Sequence, residues 1–451
     1  MVKGVGPREV LAIAAARGAG QATRLLRRGG GTALPGLVAE RLSPAILRRL
    51  TRQLRRGALI VTGTNGKTTT SRLLGGVLDA AGWRTVHNRS GSNLVRGLIA
   101  TLVQQSTLTG DLRADAGLFE VDEATVPAVV AQVRPRLLLI NNLFRDQLDR
   151  YGEIDHISRR WRETLATLDN RSTVVLNADD PGVAVLGRHT AAQVRYYGIA
   201  DTRQALAALP HAADAIDCPL CGHRLAYGAV LLSHLGHYAC PACSFTRPEP
   251  DIVAERVDLH GTEAVHLAVR APSGTFLVDL GLPGFYNAYN GLAATAAALT
   301  LGLDPAIIRQ GLGAVQAAFG RIERIAAGDS GKSLLLALVK NPVGFNEVLR
   351  MLFPPATADG PPAPPRHLLI IINDLTADGR DVSWLWDVDF EVLGEAGRVA
   401  QATCAGLRAT DMANRLRYAG LDAARITVVE DLDAALTTTL AALPAGETLY
   451  V

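Results

Sequence analysis

The stretch ALIVTGTNGKTTT, residues 58–70, constrains this chain more than any other. An apolar run of β-forming residues ends in a glycine-rich turn. The turn leads into TTTSRLLGGVLDAAG, a helical pattern that Gly82 closes. Strand, glycine loop and helix in that order make the phosphate-binding unit of parallel α/β folds. The first N–H groups of the helix have no partner within it and carry partial positive charge, so they suit a phosphate. Gly66, Lys67 and Thr68 match the general phosphate-loop pattern, but Val61 stands where that pattern has its first glycine. We read a tighter loop, Gly63, Thr64, Asn65, Gly66, Lys67, Thr68 and Thr69, that still cradles a nucleotide. Lys67 reaches the terminal phosphates, and the Thr68 hydroxyl suits Mg²⁺.

Further apolar runs follow at AGLFEVDE (116–123), RLLLINNLF (136–144) and STVVLNADDP (172–181), with helical stretches between them. This alternation predicts a parallel sheet covered by helices, with ligands beyond the carboxyl ends of the strands. Lys67, Glu120, Asn141 and Asp179 fall at those ends. The length of 451 residues suggests about three domains. We expect a basic helical segment over 1–56, interrupted at LPGL (34–37) and restarted at Ser43-Pro44. An ATPase domain over 57–315 follows, with an insertion at about 211–250. A C-terminal Rossmann-like α/β domain occupies 316–451 and contains the strands KSLLLALVKNP (332–342) and HLLIIINDL (367–375). The proline-rich PPATADGPPAPPR (354–366) belongs on the surface.

No apolar run is long enough to span a membrane, and the N-terminus reads as an Ala-rich helix rather than a cleaved signal. Residues 1–56 hold twelve Lys and Arg against two acidic residues, so the remaining chain is net acidic although the whole carries +3. A basic segment of this kind is either a solvated face or an attractor for an anionic membrane or a phosphorylated substrate.

Four of the five cysteines form two CxxC pairs, Cys218/Cys221 and Cys240/Cys243, eighteen residues apart. That spacing predicts a tetrahedral Cys₄ zinc ribbon, closed to substrate and therefore structural. His223, His234 and His237 lie close by as alternative ligands. The module carries few basic residues, which disfavours nucleic acid as a partner. Cys404 sits alone on a strand-like run and reads as a small buried hydrophobe.

With GTNGKTT after a strand, NADDP (177–181), YNAYNGLAA (286–294), GRIE (320–323) and KNP (340–342), the chain resembles the Mur ligases and folylpolyglutamate synthases. Their loops lack a glycine at the position of Val61. The resemblance implies a Mur ligase-like fold that uses ATP and Mg²⁺ to activate a carboxylate as an acyl phosphate, which an amine then displaces. It places Glu120 with Thr68 on Mg²⁺, Asn287 and Asn290 near adenine, and Arg321 near the phosphates. A narrower set of segments resembles the MurT family, the ligase-like subunits of lipid II isoglutaminyl synthase. These are FEVDEAT (119–125), NLFRDQLDRYGE (142–153), the cysteine module, LVKNPVGFNEVL (338–349) and NDLTADGRDVSWLWDVDFE (373–391).

That resemblance implies a heterodimer with a GatD-like glutamine amidotransferase. The pair would amidate the α-carboxylate of D-glutamate in the lipid II stem peptide, in the cytoplasm at the inner face of the membrane. Asp381 would complete a Cys-His-Asp triad whose other members lie on the partner, with Asp374, Asp378, Asp387 and Asp389 as competing candidates. Lys67 and Glu120 would be the catalytic groups of this chain. It would also have the chain continue past ETLYV. Trp384 and Trp386 beside Asp381 suit either an interface or a core. Two other functions compete with this one: a self-sufficient amino-acid ligase, and a nucleic-acid-binding P-loop zinc protein. Gln147, Arg162 and Ala337 stand where the amino-acid-adding ligases have a metal-ligating histidine, a carbamylated lysine and a ribose-binding acid, which speaks against the first. The net-acidic body speaks against the second.

Overall fold

The computed structural model describes residues 6–25, 33–88, 92–145, 153–315, 322–328, 331–354, 364–375 and 381–451. The first strands are β1 (Ala58–Thr62), β2 (Thr85–His87), β3 (Ala116–Glu120), β4 (Leu137–Ile140), β5 (Thr173–Asn177) and β6 (Gln193–Ile199). A hairpin, β7 (Ala226–Leu232) and β8 (Leu235–Ala239), precedes β9 (Ile252–His260), β10 (Ala264–Ala271) and β11 (Gly274–Leu280). Then come β12 (Glu323–Ala326), β13 (Ser333–Leu336), β14 (Arg366–Ile371), β15 (Val399–Ala405), β16 (Ile426–Val428) and β17 (Thr448–Tyr450).

The larger sheet has the order β11-β10-β9-β6-β5-β4-β1-β3-β2, parallel from β2 to β9 and antiparallel beyond. Every residue of β1 is buried. Leu59 and Val61 pack on one face against Leu73, Leu74 and Val77 of the helix Lys67–Ala80, while Ala58 and Ile60 pack on the other with Leu98, Leu102 and Trp161. A strand covered on both faces must be apolar at every position, which explains the unbroken ALIV run. The chain leaves β1 toward β2 and β3 on one side, then crosses to β4, β5 and β6 on the other. The carboxyl end of β1 is therefore the point where strand order reverses, where such sheets bind ligands. Val61 pairs with Glu120 on one side and Leu139 on the other. The position of the general pattern's first glycine is thus inside a central strand, where a β-branched residue is favoured, and the loop begins only at Gly63.

The second sheet has the order β12-β13-β17-β14-β15-β16 and is parallel except at β12. Its core gathers Phe345, Leu349, Trp384, Phe390 and Cys404.

One sequence expectation needs correction. LPGL does not interrupt the N-terminal segment: a helix runs from Ala33 to Leu42 straight through it. Pro35 lies in the first turn, where its missing N–H is not required. Gly36 serves a close crossing, since a Cβ there would lie 1.8 Å from the carbonyl oxygen of Arg96. Part of the basic charge is also used internally. Arg17 Nε donates to the Val103 carbonyl at 3.1 Å, and Arg49 pairs with buried Glu9 at 2.7 Å, which also accepts from Ser43 Oγ.

The helix Lys67–Ala80 is held from behind by the helix Pro305–Gly313, and the two cross at glycines. A Cβ on Gly311 would meet Val77 Cα at 2.4 Å and the Gly76 carbonyl oxygen at 2.7 Å. Both are backbone atoms, so the helices must separate. Gly311→Ala is expected to destabilise the protein by about 1–3 kcal/mol in denaturant titrations. Gly313→Ala, with its nearest neighbour at 4.0 Å, should stay within about 0.5 kcal/mol of wild type.

Candidate active site

The loop after β1 leaves the sheet through Gly63 at φ 136°, close against Asn141 and Asn142, and enters the helix through Gly66 at φ 79°. A Cβ on Gly66 would fall 2.0 Å from Asn290 Oδ1, so the glycine is required both for its left-handed backbone and for that approach. Lys67 Nζ donates to the carbonyls of Gly63 (2.6 Å) and Thr64 (3.0 Å) and to Glu123 Oε2 (2.8 Å). Burial pushes the Glu123 carboxyl above the usual glutamate range, against the opposing pull of Lys67. Thr68 Oγ1 donates to Glu120 Oε1 at 2.9 Å. Two pairs, ammonium with carboxylate and hydroxyl with carboxylate, therefore stand side by side at the mouth of the switch point.

Around them opens a cleft lined by Thr64–Thr68, Glu120, Asp122, Glu123 and Asn142, by Tyr286, Tyr289 and Asn290 of the Ala-rich helix Phe285–Thr300, and by Leu338–Asn341, Gly344 and Glu347 from the C-terminal part. Asn341 bridges the two parts. Its Nδ2 donates to Asn65 Oδ1 at 2.9 Å, while its Oδ1 caps the helix Pro342–Leu352 through the Gly344 N–H. Asn65 Nδ2 is buried with no hydrogen-bond partner among the described residues.

The sequence-named residues separate into groups. Thr64, Asn65, Gly66, Lys67, Thr68, Glu120 and Asn290 line the cleft. Gly63 lies beneath it and supplies a carbonyl to Lys67, and Thr69 is not among the lining residues. Asn287 stands behind Asn290: its Oδ1 accepts from Asn290 Nδ2 at 2.9 Å, and its own Nδ2 donates to the Pro283 carbonyl. Asp179 is fully buried and accepts from Arg247, Tyr289 and the Ile199 N–H, so it joins elements rather than facing a ligand. Arg321, Gln147 and Asp378 lie outside the described residues. Sequence reasoning missed Asn88, which brackets the Glu120 backbone, accepting from its N–H at 2.9 Å and donating to its carbonyl at 2.8 Å. The signal was a lone asparagine directly after the short strand β2, Thr85–His87. Glu123 and Asn142 were also missed, although both stand in quoted segments.

The four cysteines converge. All sulfurs lie within 4.8 Å of one another, with Cys218–Cys243 at 3.6 Å and Cys221–Cys240 at 3.5 Å. A tetrahedral ion with bonds near 2.3 Å separates its sulfurs by about 3.8 Å, so the cluster can hold a metal ion. Burial raises the Cys240 thiol, yet the Ala242 N–H and the neighbouring sulfurs bring it below the usual range, while the contact with Cys240 pushes Cys221 up. His234 and His237 turn away, toward Asp180 at 3.5 Å and the Ile199 carbonyl at 2.7 Å. Cys404 is fully buried and pushed up to about 12 by desolvation, as fits an inert thiol.

A second, shallow depression surrounds Asp381, Ser383, Leu385, Trp386, Arg408 and Tyr418. Asp381 is exposed and accepts from the Ser383 N–H at 2.8 Å; hydrogen bonding from Ser383 holds its carboxyl below the usual range. Trp384 belongs to the core, whereas Trp386 is 53% exposed and stands edge-on to Tyr418, which is 78% exposed.

Comparison with known proteins agrees with this geometry. Residues 61–215 match the Mur ligase middle domain, and residues 338–451 match the MurT ligase C-terminal family. The lipid II isoglutaminyl synthase (glutamine-hydrolyzing) subunit MurT of Streptococcus pneumoniae is 34% identical over 423 residues, spanning 92% of this chain and 88% of its own. The chain belongs to the MurT family. The MurT subunit of Staphylococcus aureus strain COL is 32% identical, over 92% of this chain and 89% of its own. The fold is that of the Mur ligases: the crystal structure of MurF from Acinetobacter baumannii superposes with a TM-score of 0.65 at 18% identity, covering 92% of this chain and 77% of that one. Among the described residues no helix is long and apolar enough to cross a membrane.

Besides Glu123, the cleft holds a second carboxyl with a raised pKa. Glu347 is buried, its Oε2 has no hydrogen-bond partner among the described residues, and Arg350 stands off at 3.7 Å. Desolvation raises its carboxyl above the usual glutamate range. A group raised in the folded state lends stability below its unfolded pKa and loses it as pH climbs through the folded value. Glu347→Gln should therefore gain denaturant resistance over wild type progressively from about pH 5 to about pH 8, and be closest to it at the acid end. Parallel denaturation curves at both pH values check this.

Proposed function

We propose that this chain is the ligase subunit of a lipid II isoglutaminyl synthase. It uses ATP to amidate the α-carboxylate of the stem-peptide D-glutamate, giving D-isoglutamine, ADP and phosphate. Membership of the MurT family along nearly the entire chain carries this reading, and the cleft geometry supports it.

The loop fits a polyphosphate. Its backbone N–H groups start a helix, and Asn65 Nδ2 is a buried donor without a partner among the described residues. When bound, ATP with Mg²⁺ supplies the phosphoryl group that converts the carboxylate into an acyl phosphate. Glu120 and Thr68 would hold the Mg²⁺, with Asn88 fixing the backbone that carries Glu120. Lys67 would exchange Glu123 for a phosphoryl oxygen, which is the charge movement the reaction asks of this chain. Ammonia then attacks the carbonyl carbon, the C–O bond to phosphate breaks, and the amide remains. Asn341, joined to Asn65, would keep the C-terminal part over the loop and limit access of water to the acyl phosphate.

The ammonia comes from a GatD-like glutamine amidotransferase. Exposed Asp381, held ionised beside Trp386 and Tyr418, is suited to orient a histidine on that partner. The cysteine cluster takes zinc. The enzyme works at the inner face of the membrane, where exposed Arg48, Arg52 and Arg55 favour an anionic surface.

The test is amidation of purified lipid II with ATP and either ammonium or glutamine, with and without the amidotransferase. Lys67→Ala should lower both activities by about 10²-fold or more. Asp381→Asn should abolish glutamine-driven turnover and spare ammonium-driven turnover. No amidation by wild type with ammonium overturns the ligase assignment, and equal loss of both activities in Asp381→Asn removes it from the triad.

A further inference from the structure

Between β6 and β9 the chain makes a detour that begins and ends at the large sheet and carries the metal cluster. Near the cluster, Cys218 and Cys240 pack with Leu225, Tyr238 and Phe245. Tyr238 Oη donates to the Ala178 carbonyl at 3.0 Å, which ties this small core to the strand-end segment after β5. The β7–β8 hairpin then runs away from the cysteines to a two-residue turn, Ser233-His234. Ser233 holds a left-handed φ of 50° and donates through Oγ to the Ala212 carbonyl, while Tyr227 Oη donates to the His234 carbonyl at 2.8 Å. Beside this tip, Leu232 and Leu235 form part of the nucleotide cleft wall.

The same detour faces the C-terminal part. Arg350, on the helix that Asn341 caps, donates through Nη1 to the Leu231 carbonyl at 2.7 Å and through Nη2 to the Gln204 carbonyl. Its guanidinium also covers the Phe285 ring at 4.6 Å, at the start of the Ala-rich helix. A planar fork that donates to two backbone carbonyls and stacks on a ring is a fit that lysine does not reproduce. Nearby, His211 Nδ1 pairs with Asp389 Oδ1 at 2.7 Å, and Asp389 exchanges hydrogen bonds with Asn346 of the same helix.

We propose that the four-cysteine module is the fixed half of a latch: a divalent metal on its sulfurs stiffens the β7–β8 hairpin, and Arg350 fastens the C-terminal part to the hairpin so that the cleft is held closed over its ligand. Arg350 is a positioning residue, not a catalytic one. The inference rests on the reading of the cleft as an ATP site, and its test separates the two.

The experiment compares full-length wild type and Arg350→Met, each metal-loaded and metal-stripped with a thiol-compatible chelator. It measures metal content, affinity for a fluorescent ATP analogue, and amide hydrogen exchange in residues 342–352. Arg350→Met should keep its metal, bind the analogue about tenfold more weakly and exchange faster in that helix. Metal removal from wild type should do the same, and in Arg350→Met it should add little, because both changes break one connection. Additive losses, or wild-type affinity and exchange in metal-loaded Arg350→Met, overturn the latch. If stripped protein unfolds, the metal-loaded Arg350→Met comparison still decides. If wild type binds no analogue, the nucleotide reading fails, and the exchange data alone decide the latch.

Discussion

The double burial of β1 is the constraint on which the rest of this molecule depends. Its five residues have no exposed side, so the backbone can turn to a ligand only after the strand ends. The end coincides with the reversal of strand order, where β3 and β4 diverge and leave a crevice. Everything chemical follows from that position. The loop takes its shape from two glycines with positive φ, its lysine is gathered by loop carbonyls and Glu123, and its threonine meets the carboxylate that ends β3. Val61 pairs with Glu120 across the ladder, so the strand register itself sets the carboxylate beside the loop.

The site is completed from a distance by asparagines. Asn88 brackets Glu120, Asn142 meets the Asn65 backbone on both sides, Asn290 closes against Gly66, and Asn341 reaches across from the C-terminal part to Asn65. An amide side chain both donates and accepts, so it can fix a backbone without adding charge. On the proposed reading of the cleft as a polyphosphate site this matters, because each extra carboxylate would repel the ligand. The two carboxylates nearest the loop, Glu120 and Glu123, are each engaged by it, one by the Thr68 hydroxyl and the other by the Lys67 ammonium.

Much of the architecture was legible in the chain. The apolar runs marked β1, β3, β4 and β5, since a strand covered on both faces cannot hide its composition. The LPGL stretch misled because proline and glycine have two readings. In the first turn of a helix proline costs nothing, and a glycine that breaks an isolated helix is the residue that lets two packed helices touch, as Gly36 does against Arg96. Asn287 and Asp179 show what a motif leaves open. Their motifs pointed to the site, and both lie next to it, but their polar atoms are used by Pro283 and Asn290 in one case and by Arg247, Tyr289 and Ile199 in the other.

The sequence by itself determined the features whose parts are close along the chain: the phosphate loop, the two cysteine pairs, the helix stops, and the family that those segments identify. Local spacing is enough there, because a few residues of backbone fix the geometry. The tertiary structure alone decided which groups meet across long separations. Glu123 comes to Lys67, Trp386 but not Trp384 reaches the surface, and Arg350 finds a hairpin carbonyl, that of Leu231, more than a hundred residues earlier. Such contacts depend on strand order and on how two separately folded sheets are set against each other, and no local pattern encodes either.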